Sequence, residues 1–475
     1  MLSRHAIAYL FSHGIPSIIG FISIVVYTNL LTPEQYGVYA IVFAMAAVVN
    51  SVMFEWLRLS LLRFYPKYGH SPQVIETVKL SFMAIMVVTA IFSLLIFAFY
   101  GEQFSAVSIG FILLLSWSQS WANMNLSLAR AELAPKKYGV IAFSRATLGF
   151  LFGTILIYLG FGEQGLLAGL IIGFWLALIL PTIKTWGLSL NVKAFDKSLL
   201  KEFASYGTPL TLTLLLGVII HNSDRLIIDH LLSKAETGIY ASTYDLTEQS
   251  IFTLMMIINL AAFPIAMKMM EEKGEKAAYD QVKKNISLLF FIALPAAGAF
   301  IVLGPNIISV LLGEGFQNQG LLLVPFIVVG ALLKGFKLYC VDIMFHIQRK
   351  TKLQIIPVVI AAIVNIVLNF MLIPQYGIEG AAFATVTAYL VAVISGWLIV
   401  HFQIHSIPIA YMELTKIAIA TGFMCFVLSL LRGYSGWQML IIQVVVGLGV
   451  YVIACLLLNI LSVRDQVLRR LKERF

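Results

Sequence analysis

The segment LLTPEQYGVYA, Leu30 to Ala40, returns about two hundred residues later as LLSKAETGIYA, Leu231 to Ala241. Five of the eleven positions are identical: Leu30/Leu231, Leu31/Leu232, Gly37/Gly238, Tyr39/Tyr240 and Ala40/Ala241. Each copy is a short polar turn between two long apolar runs. The shared residues include the Gly and Tyr of a turn as well as interchangeable aliphatics, so the pattern predicts a helical bundle built twice.

The residues around these turns set the solvent. A chain of 475 residues that is 60% hydrophobic and 12% charged, with a mean hydropathy of +0.93, lacks the polar surface to cover a water-soluble globule. Apolar runs long enough to cross ~30 Å of hydrocarbon as helices recur along its length. We read about fourteen of them: 7–31, 36–56, 76–99, 105–126, 138–160, 165–186, 203–222, 238–265, 285–303, 320–346, 352–373, 378–401, 411–431 and 437–461. The fold class is therefore an all-α polytopic membrane protein. A transmembrane barrel is excluded, because the runs are continuous rather than alternating and about twice the length of a barrel strand. The first run lacks a small-residue cleavage site and reads as a retained helix.

The cations test this threading. With the amino terminus inside, 29 of the 32 Lys and Arg residues fall on the cytoplasmic side, and Arg225, Lys234 and Arg432 fall outside. Both termini are accordingly expected in the cytoplasm. The net charge of +9 is dispersed over loops at one membrane face, so no nucleic-acid partner is expected. Cys340, Cys425 and Cys455 lie within apolar runs without CxxC spacing, which predicts packing residues and neither a disulfide framework nor a metal site.

Six runs return the chain to its starting side, so runs seven to twelve repeat the first six in the same orientation, a parallel repeat. A second echo agrees: Gly162-Glu163-Gln164-Gly165 and Gly377-Ile378-Glu379-Gly380 each stand in a short turn before the sixth run of their half. The expected organisation is an amino-terminal six-helix lobe over 1–186, a cytoplasmic linker over 187–202 and a second six-helix lobe over 203–402. Two extra helices and a basic tail occupy 403–475. The charged stretch Lys268 to Asn285 reads as a solvated helix. No P-loop, HExxH, GxSxG or DxD-like pattern is present, so no enzyme activity and no cofactor are expected.

Three stretches carry a resemblance: Leu31 to Tyr39; Asn222-Ser223-Asp224-Arg225 with Gly238-Ile239-Tyr240 after it; and Asn365 to Ala382, NIVLNFMLIPQYGIEGAA. Together they resemble the polysaccharide-transport or O-antigen flippase family of the multidrug/oligosaccharidyl-lipid/polysaccharide exporter superfamily, over helices one to twelve. The resemblance implies a bacterial inner-membrane protein with two six-helix lobes around a central cavity. It further implies transfer of undecaprenyl-pyrophosphate-linked oligosaccharide to the periplasmic leaflet by alternating access, for O-antigen, capsule or exopolysaccharide. Implied partners are the lipid-linked sugar, membrane lipids, a polysaccharide polymerase and a chain-length regulator. A cation-coupled multidrug antiporter and a membrane-embedded polymerase are the alternatives.

A flipped pyrophosphate needs cations at membrane depth. Lys334 and Lys337 stand first, at i, i+3 after the apolar stretch 321–333, with snorkelling to headgroups as the other reading. Arg225, beside Asp224, and Arg145 follow; a local pair with Asp229 is the alternative for Arg225. Arg58, Arg63 and Arg130, near cytoplasmic helix ends, are entry-side candidates. Coupling to H+ or Na+ requires a carboxylate at depth: Glu248 first, then Asp245, with Asp224, Asp342 and Glu55 behind them. Pro16 and Pro209 interrupt the first helix of each half, as kinks or as ordinary membrane prolines. Trp117, Trp121, Tyr240 and Tyr244 are candidates for stacking on sugar rings, or for interfacial anchoring.

Overall fold

The computed structural model describes residues 2–100 and 105–465, and these are helical with no strand. Fourteen helices follow one another among the described residues. They are α1 (Leu2–Leu30), α2 (Pro33–Tyr68), α3 (Pro72–Tyr100), α4 (Ala106–Ala131), α5 (Pro135–Leu156), α6 (Gly162–Pro181) and α7 (Lys197–Leu231). Then come α8 (Lys234–Lys273), α9 (Glu275–Leu311), α10 (Glu314–Ile347), α11 (355–376), α12 (378–403), α13 (Tyr411–Leu430) and α14 (Trp437–Leu457). Two compact units divide at Gly238, within the first turn of α8.

By length and composition alone, nine continuous helical stretches among the described residues can cross a membrane, or ten with the bent α7. Two of the nine are hairpins. The stretch Pro135–Trp186 has 52 residues, which as one rod would reach about 78 Å, more than twice the hydrocarbon thickness. It reverses where Gly160 and Gly162 take φ of 92° and 52°. The contacts confirm antiparallel packing: a Cβ on Gly169 would meet Gly153, and one on Gly173 would meet Gly149. The stretch Thr351–Gln403 reverses in the same way at Gly377, φ 59° and ψ −144°, against φ 52° and ψ −136° at Gly162. Three residues after each reversal a glycine lies against the preceding helix end. A Cβ on Gly165 would stand 2.9 Å from the Leu156 carbonyl carbon, and one on Gly380 2.5 Å from the Leu372 oxygen. The second sequence echo is thus one hairpin device used in both units.

The first echo is a helix start. Thr32 Oγ1 accepts the Gln35 amide at 3.3 Å while Gln35 Oε1 accepts the Thr32 amide at 3.1 Å, a reciprocal capping box at the head of α2. Ser233 Oγ accepts the Glu236 amide at 3.1 Å at the head of α8. The helices run further than hydropathy indicates: α2 has 36 residues and α8 has 40, because their polar ends keep helical periodicity beyond the apolar run. The stretch Lys268 to Asn285 is not one helix, since Gly274 at φ 80° separates the end of α8 from the start of α9. Just beyond Pro209, α7 bends by 46°.

In the first unit α4 is central. Its second half, Ser116 to Ala129, is buried although it carries Ser116, Ser118, Gln119, Ser120, Asn125 and Ser127. The polar groups are satisfied locally: Ser120 donates to Asn50 Oδ1 at 2.7 Å, Asn125 Nδ2 to the Trp121 carbonyl at 2.9 Å, and Trp186 Nε1 to Asn125 Oδ1 at 3.0 Å. The connection after α6 is fastened rather than loose. Lys79 Nζ, paired with Glu76 at 2.7 Å, also donates to the Trp186 and Ser189 carbonyls, while Glu76 accepts the Asn191 amide. In the second unit α14 is tied to α9 by a buried amide pair, Asn306 Nδ2 to Gln443 Oε1 at 2.7 Å, and by Tyr451 donating to the Phe291 carbonyl at 2.8 Å.

Candidate functional site: buried charges in each unit

Three of the candidate acids and three candidate bases are brought together as pairs. In the first unit Arg58 Nε donates to Glu55 Oε2 at 2.8 Å, and its Nη1 to Ser127 Oγ at 3.1 Å. Arg130 donates to the Tyr138 hydroxyl at 2.8 Å, with its guanidinium over the same ring at 4.9 Å. Arg63 is exposed and has no ion pair among the described residues. These three stand near the far end of α2 and the end of α4.

Arg145 is different. It lies ten residues into α5, about 15 Å along the helix, and makes one long hydrogen bond to Asn123 Oδ1 at 3.3 Å. Its guanidinium stands 5.3 Å from the Phe174 ring centre. No carboxylate pairs with it among the described residues. A cation held by an amide oxygen and an aromatic face inside an apolar helical body keeps most of its donors available for an anion.

Asp224 and Arg225 are both buried in α7. Asp229, four residues on, stands 3.9 Å from Lys234.

In the second unit Lys334 on α10 is hydrogen-bonded to Glu248 on α8, 86 residues away in sequence. Its ammonium stands 4.7 Å from the Phe252 ring, which stacks on Tyr339 at 5.6 Å. Lys337 and Asp342 form a second buried pair at 2.7 Å, and Gln354 Nε2 donates to the same carboxylate oxygen at 2.9 Å. The other oxygen, Asp342 Oδ1, is buried without a hydrogen-bond partner. A π-turn over Lys337–Val341 makes this pair, since a turn closed at i+5 stacks residue 342 beneath residue 337. Asp245 sits one turn before Glu248 on α8.

The aromatic candidates are largely consumed by packing. Trp121 Nε1 donates to Thr182 Oγ1 at 2.8 Å with its ring between Phe82 and Trp186, and Trp117 Nε1 donates to Thr89 Oγ1 at 3.0 Å. Tyr240 and Tyr244, both buried, stack on each other at 5.7 Å. Sequence reading missed two features: the Glu76–Lys79 clasp on the connection after α6, and the buried Asn365, Asn369 and Thr385 in the second hairpin. Asn365 Nδ2 donates to Thr385 Oγ1 at 3.2 Å. Their signal was an amide repeated at i+4 in an otherwise apolar helix.

Comparison with known proteins agrees with this architecture. Residues 26–319 match the polysaccharide biosynthesis protein family. A putative O-antigen transporter from Shigella flexneri is 20% identical over 83% of this chain and 97% of its own length. A probable low-salt glycan biosynthesis flippase, Agl15, from Haloferax volcanii is 21% identical over 81% of this chain and 79% of its own. A probable lipid II flippase, MurJ, from Thermotoga maritima is 27% identical, but over 45% of each chain. Among solved structures, the lipid II flippase MurJ in an inward closed conformation superposes with a TM-score of 0.74 at 16% identity, covering 97% of this chain and all of that one. An inward-facing multidrug resistance MATE transporter superposes at 0.63 with 15% identity, covering 87% and 99%. At these identities the superpositions establish a shared fold. The family match covers more than half of the sequence, and this chain belongs to the polysaccharide biosynthesis protein family.

Proposed function

We propose that this chain is a flippase that carries a polyprenyl-pyrophosphate-linked oligosaccharide from the cytoplasmic to the periplasmic leaflet of a bacterial inner membrane by alternating access. The product would serve O-antigen, capsule or exopolysaccharide assembly, beside a polymerase and a chain-length regulator. Both termini lie in the cytoplasm on this reading, as the 29-of-32 cation asymmetry favours. The observation that carries the reading is Arg145, a guanidinium at membrane depth with no carboxylate partner among the described residues. A diphosphate is the ligand that such a fork of donors suits best, and a cationic drug is the one it repels.

On this reading Arg145 contacts the headgroup directly, Arg225 assists it, and Lys334 and Lys337 are held in reserve by their acids. Arg58, Arg63 and Arg130 belong to the entry side. Glu248 and Asp245 are the leading proton acceptors, with Asp224, Asp342 and Glu55 secondary.

The test is to remove the protein from its host and fractionate the lipid-linked sugars by leaflet. Intermediates are expected to accumulate on the cytoplasmic side, and Arg145→Gln is expected to leave them there while Arg145→Lys passes a fraction. Normal periplasmic delivery without the protein defeats the proposal.

A further inference from the structure

We propose that the segment joining α6 to α7, residues 187–196, is a lipid-binding strap. Its apolar side chains enter the leaflet at that end of the two helices, and the lysines around it bind the phosphates of anionic lipid headgroups. This goes beyond the transport reading and is independent of the substrate carried.

The height of the segment in the membrane is set by Lys79. Residues 80–99 of α3 hold no Asp, Glu, Lys or Arg and rise about 30 Å, the thickness of the hydrocarbon, so Lys79 stands at its boundary. Lys79 Nζ donates to the Trp186 and Ser189 carbonyls at 2.9 and 2.7 Å. Glu76 accepts the Asn191 amide at 3.1 Å, and Thr77 Oγ1 accepts the Asp196 amide at 3.0 Å. The backbone is thus satisfied from the first two turns of α3 and held at the boundary instead of trailing into water.

With the backbone clamped, the apolar side chains are left uncovered. Leu188, Leu190 and Val192, at alternate positions, are 78%, 48% and 68% exposed. Lys184, Lys193, Lys197 and Lys201 flank them, are exposed, and form no ion pair among the described residues. The one acid between Lys184 and Lys201 is Asp196, which is committed to the α7 cap. Aliphatic groups at the acyl boundary beside ammoniums at phosphate height are the composition of a segment that lies in a membrane interface. Charge complementarity and adjacency both favour a leaflet as the occupant, since the helices on either side of the segment already cross that membrane.

A second turn at this end of the unit repeats the device. Leu133, just after α4, takes φ 52°, a conformation that favours glycine, and it is exposed beside exposed Lys136. Lys137, in the first turn of α5, donates to Thr185 Oγ1 at 3.1 Å, which brings the two turns to one place.

The experiment puts single nitroxide labels on Leu188→Cys, Leu190→Cys, Val192→Cys and Leu133→Cys in the purified full chain, in phosphatidylcholine nanodiscs with and without phosphatidylglycerol. Collision with oxygen, which partitions into lipid, is compared with collision with a water-soluble nickel chelate. Phe92→Cys on the exposed face of α3 is the lipid standard, and Lys276→Cys at the charged start of α9 is the water standard. Wild type taken through the labelling gives the background from Cys340, Cys425 and Cys455. With phosphatidylglycerol present, the oxygen-to-nickel ratio at all four positions is expected to exceed the water standard by about threefold or more. It should fall by about twofold or more without phosphatidylglycerol, or in the variant Lys184→Gln/Lys193→Gln/Lys197→Gln/Lys201→Gln. Ratios equal to the water standard overturn the strap. Low collision with both reagents means that protein, a second copy of the chain, covers the segment, and overturns it as well. Ratios that respond neither to the anionic lipid nor to the lysines overturn the binding of headgroup phosphates.

Discussion

Gly37 and Gly238, matched positions of the repeated turn, face each other with no room for a side chain on either. A Cβ on Gly37 would stand 1.8 Å from the Lys234 carbonyl oxygen, and one on Gly238 would stand 1.9 Å from the Pro33 oxygen. The contact is reciprocal, because Pro33 and Lys234 are themselves matched by the repeat. Each copy of the turn offers the carbonyl of its fourth residue, the first of the helix, to the glycine of the other. Alanine at either position is expected to destabilise the protein by about 1–3 kcal/mol or more, since the obstacle is backbone and not a movable side chain. Thermal unfolding in detergent checks this, with Gly449→Ala as the control, because nothing lies within 4 Å of a Cβ there.

Asp342→Asn should be among the most damaging single changes in the second unit. It leaves Lys337, 5% exposed, without its carboxylate, a loss of roughly 3–5 kcal/mol for an uncompensated buried charge. Replacing both, as Lys337→Met with Asp342→Leu, should recover much of that loss. A double-mutant cycle read by unfolding temperature decides it, and equal damage from the single and double variants would count against the pair as the cause.

Trp121 is expected to behave as a core residue and not as a sugar platform. Trp121→Phe loses the hydrogen bond to Thr182 and should cost about 1 kcal/mol in stability. Transport per folded molecule should be unchanged, and a selective loss of one glycan over another in a proteoliposome assay would contradict this.

Asp196 caps α7 from outside the membrane-crossing segment. Its carboxyl lies below the usual carboxylate range, chiefly through the Ser198 hydroxyl at 2.7 Å, with the Leu199 and Ser198 amides also donating to it. A carboxyl lowered on folding stabilises the fold above its unfolded value, and the contribution falls away as pH drops through the folded value. Protection against hydrogen exchange in the first turn of α7, taken relative to the intrinsic exchange rate at each pH, should therefore fall at acid pH in the wild type. In Asp196→Asn, which keeps a capping oxygen but cannot titrate, the protection should lose that acid step.

Much of the architecture was legible because it is written in local chemistry. Capping residues at Thr32 and Ser233, glycines at Gly162 and Gly377 and continuous apolar runs each act within a few residues. The site was legible only as a set of residue types. Lys334 and Glu248 stood out as charges at depth, but 86 residues separate them, and no periodicity foretells that one neutralises the other. Lys337 and Asp342 are close in sequence yet sit at i+5, outside the i+3 and i+4 neighbours of an α-helix, and only the π-turn joins them.

The sequence by itself determined a duplicated helical membrane protein, because helix formation, capping and insertion depend on short-range hydrophobicity and hydrogen bonding. The tertiary structure decided which charges are neutralised and which remain available. Arg145 was one cation among seven candidates until folding gave Lys334, Lys337 and Arg58 their acids and left it with an amide and a ring. That distinction follows from the low dielectric, where the energy of a charge is set by its nearest counter-charge, and the position of that counter-charge belongs to the fold.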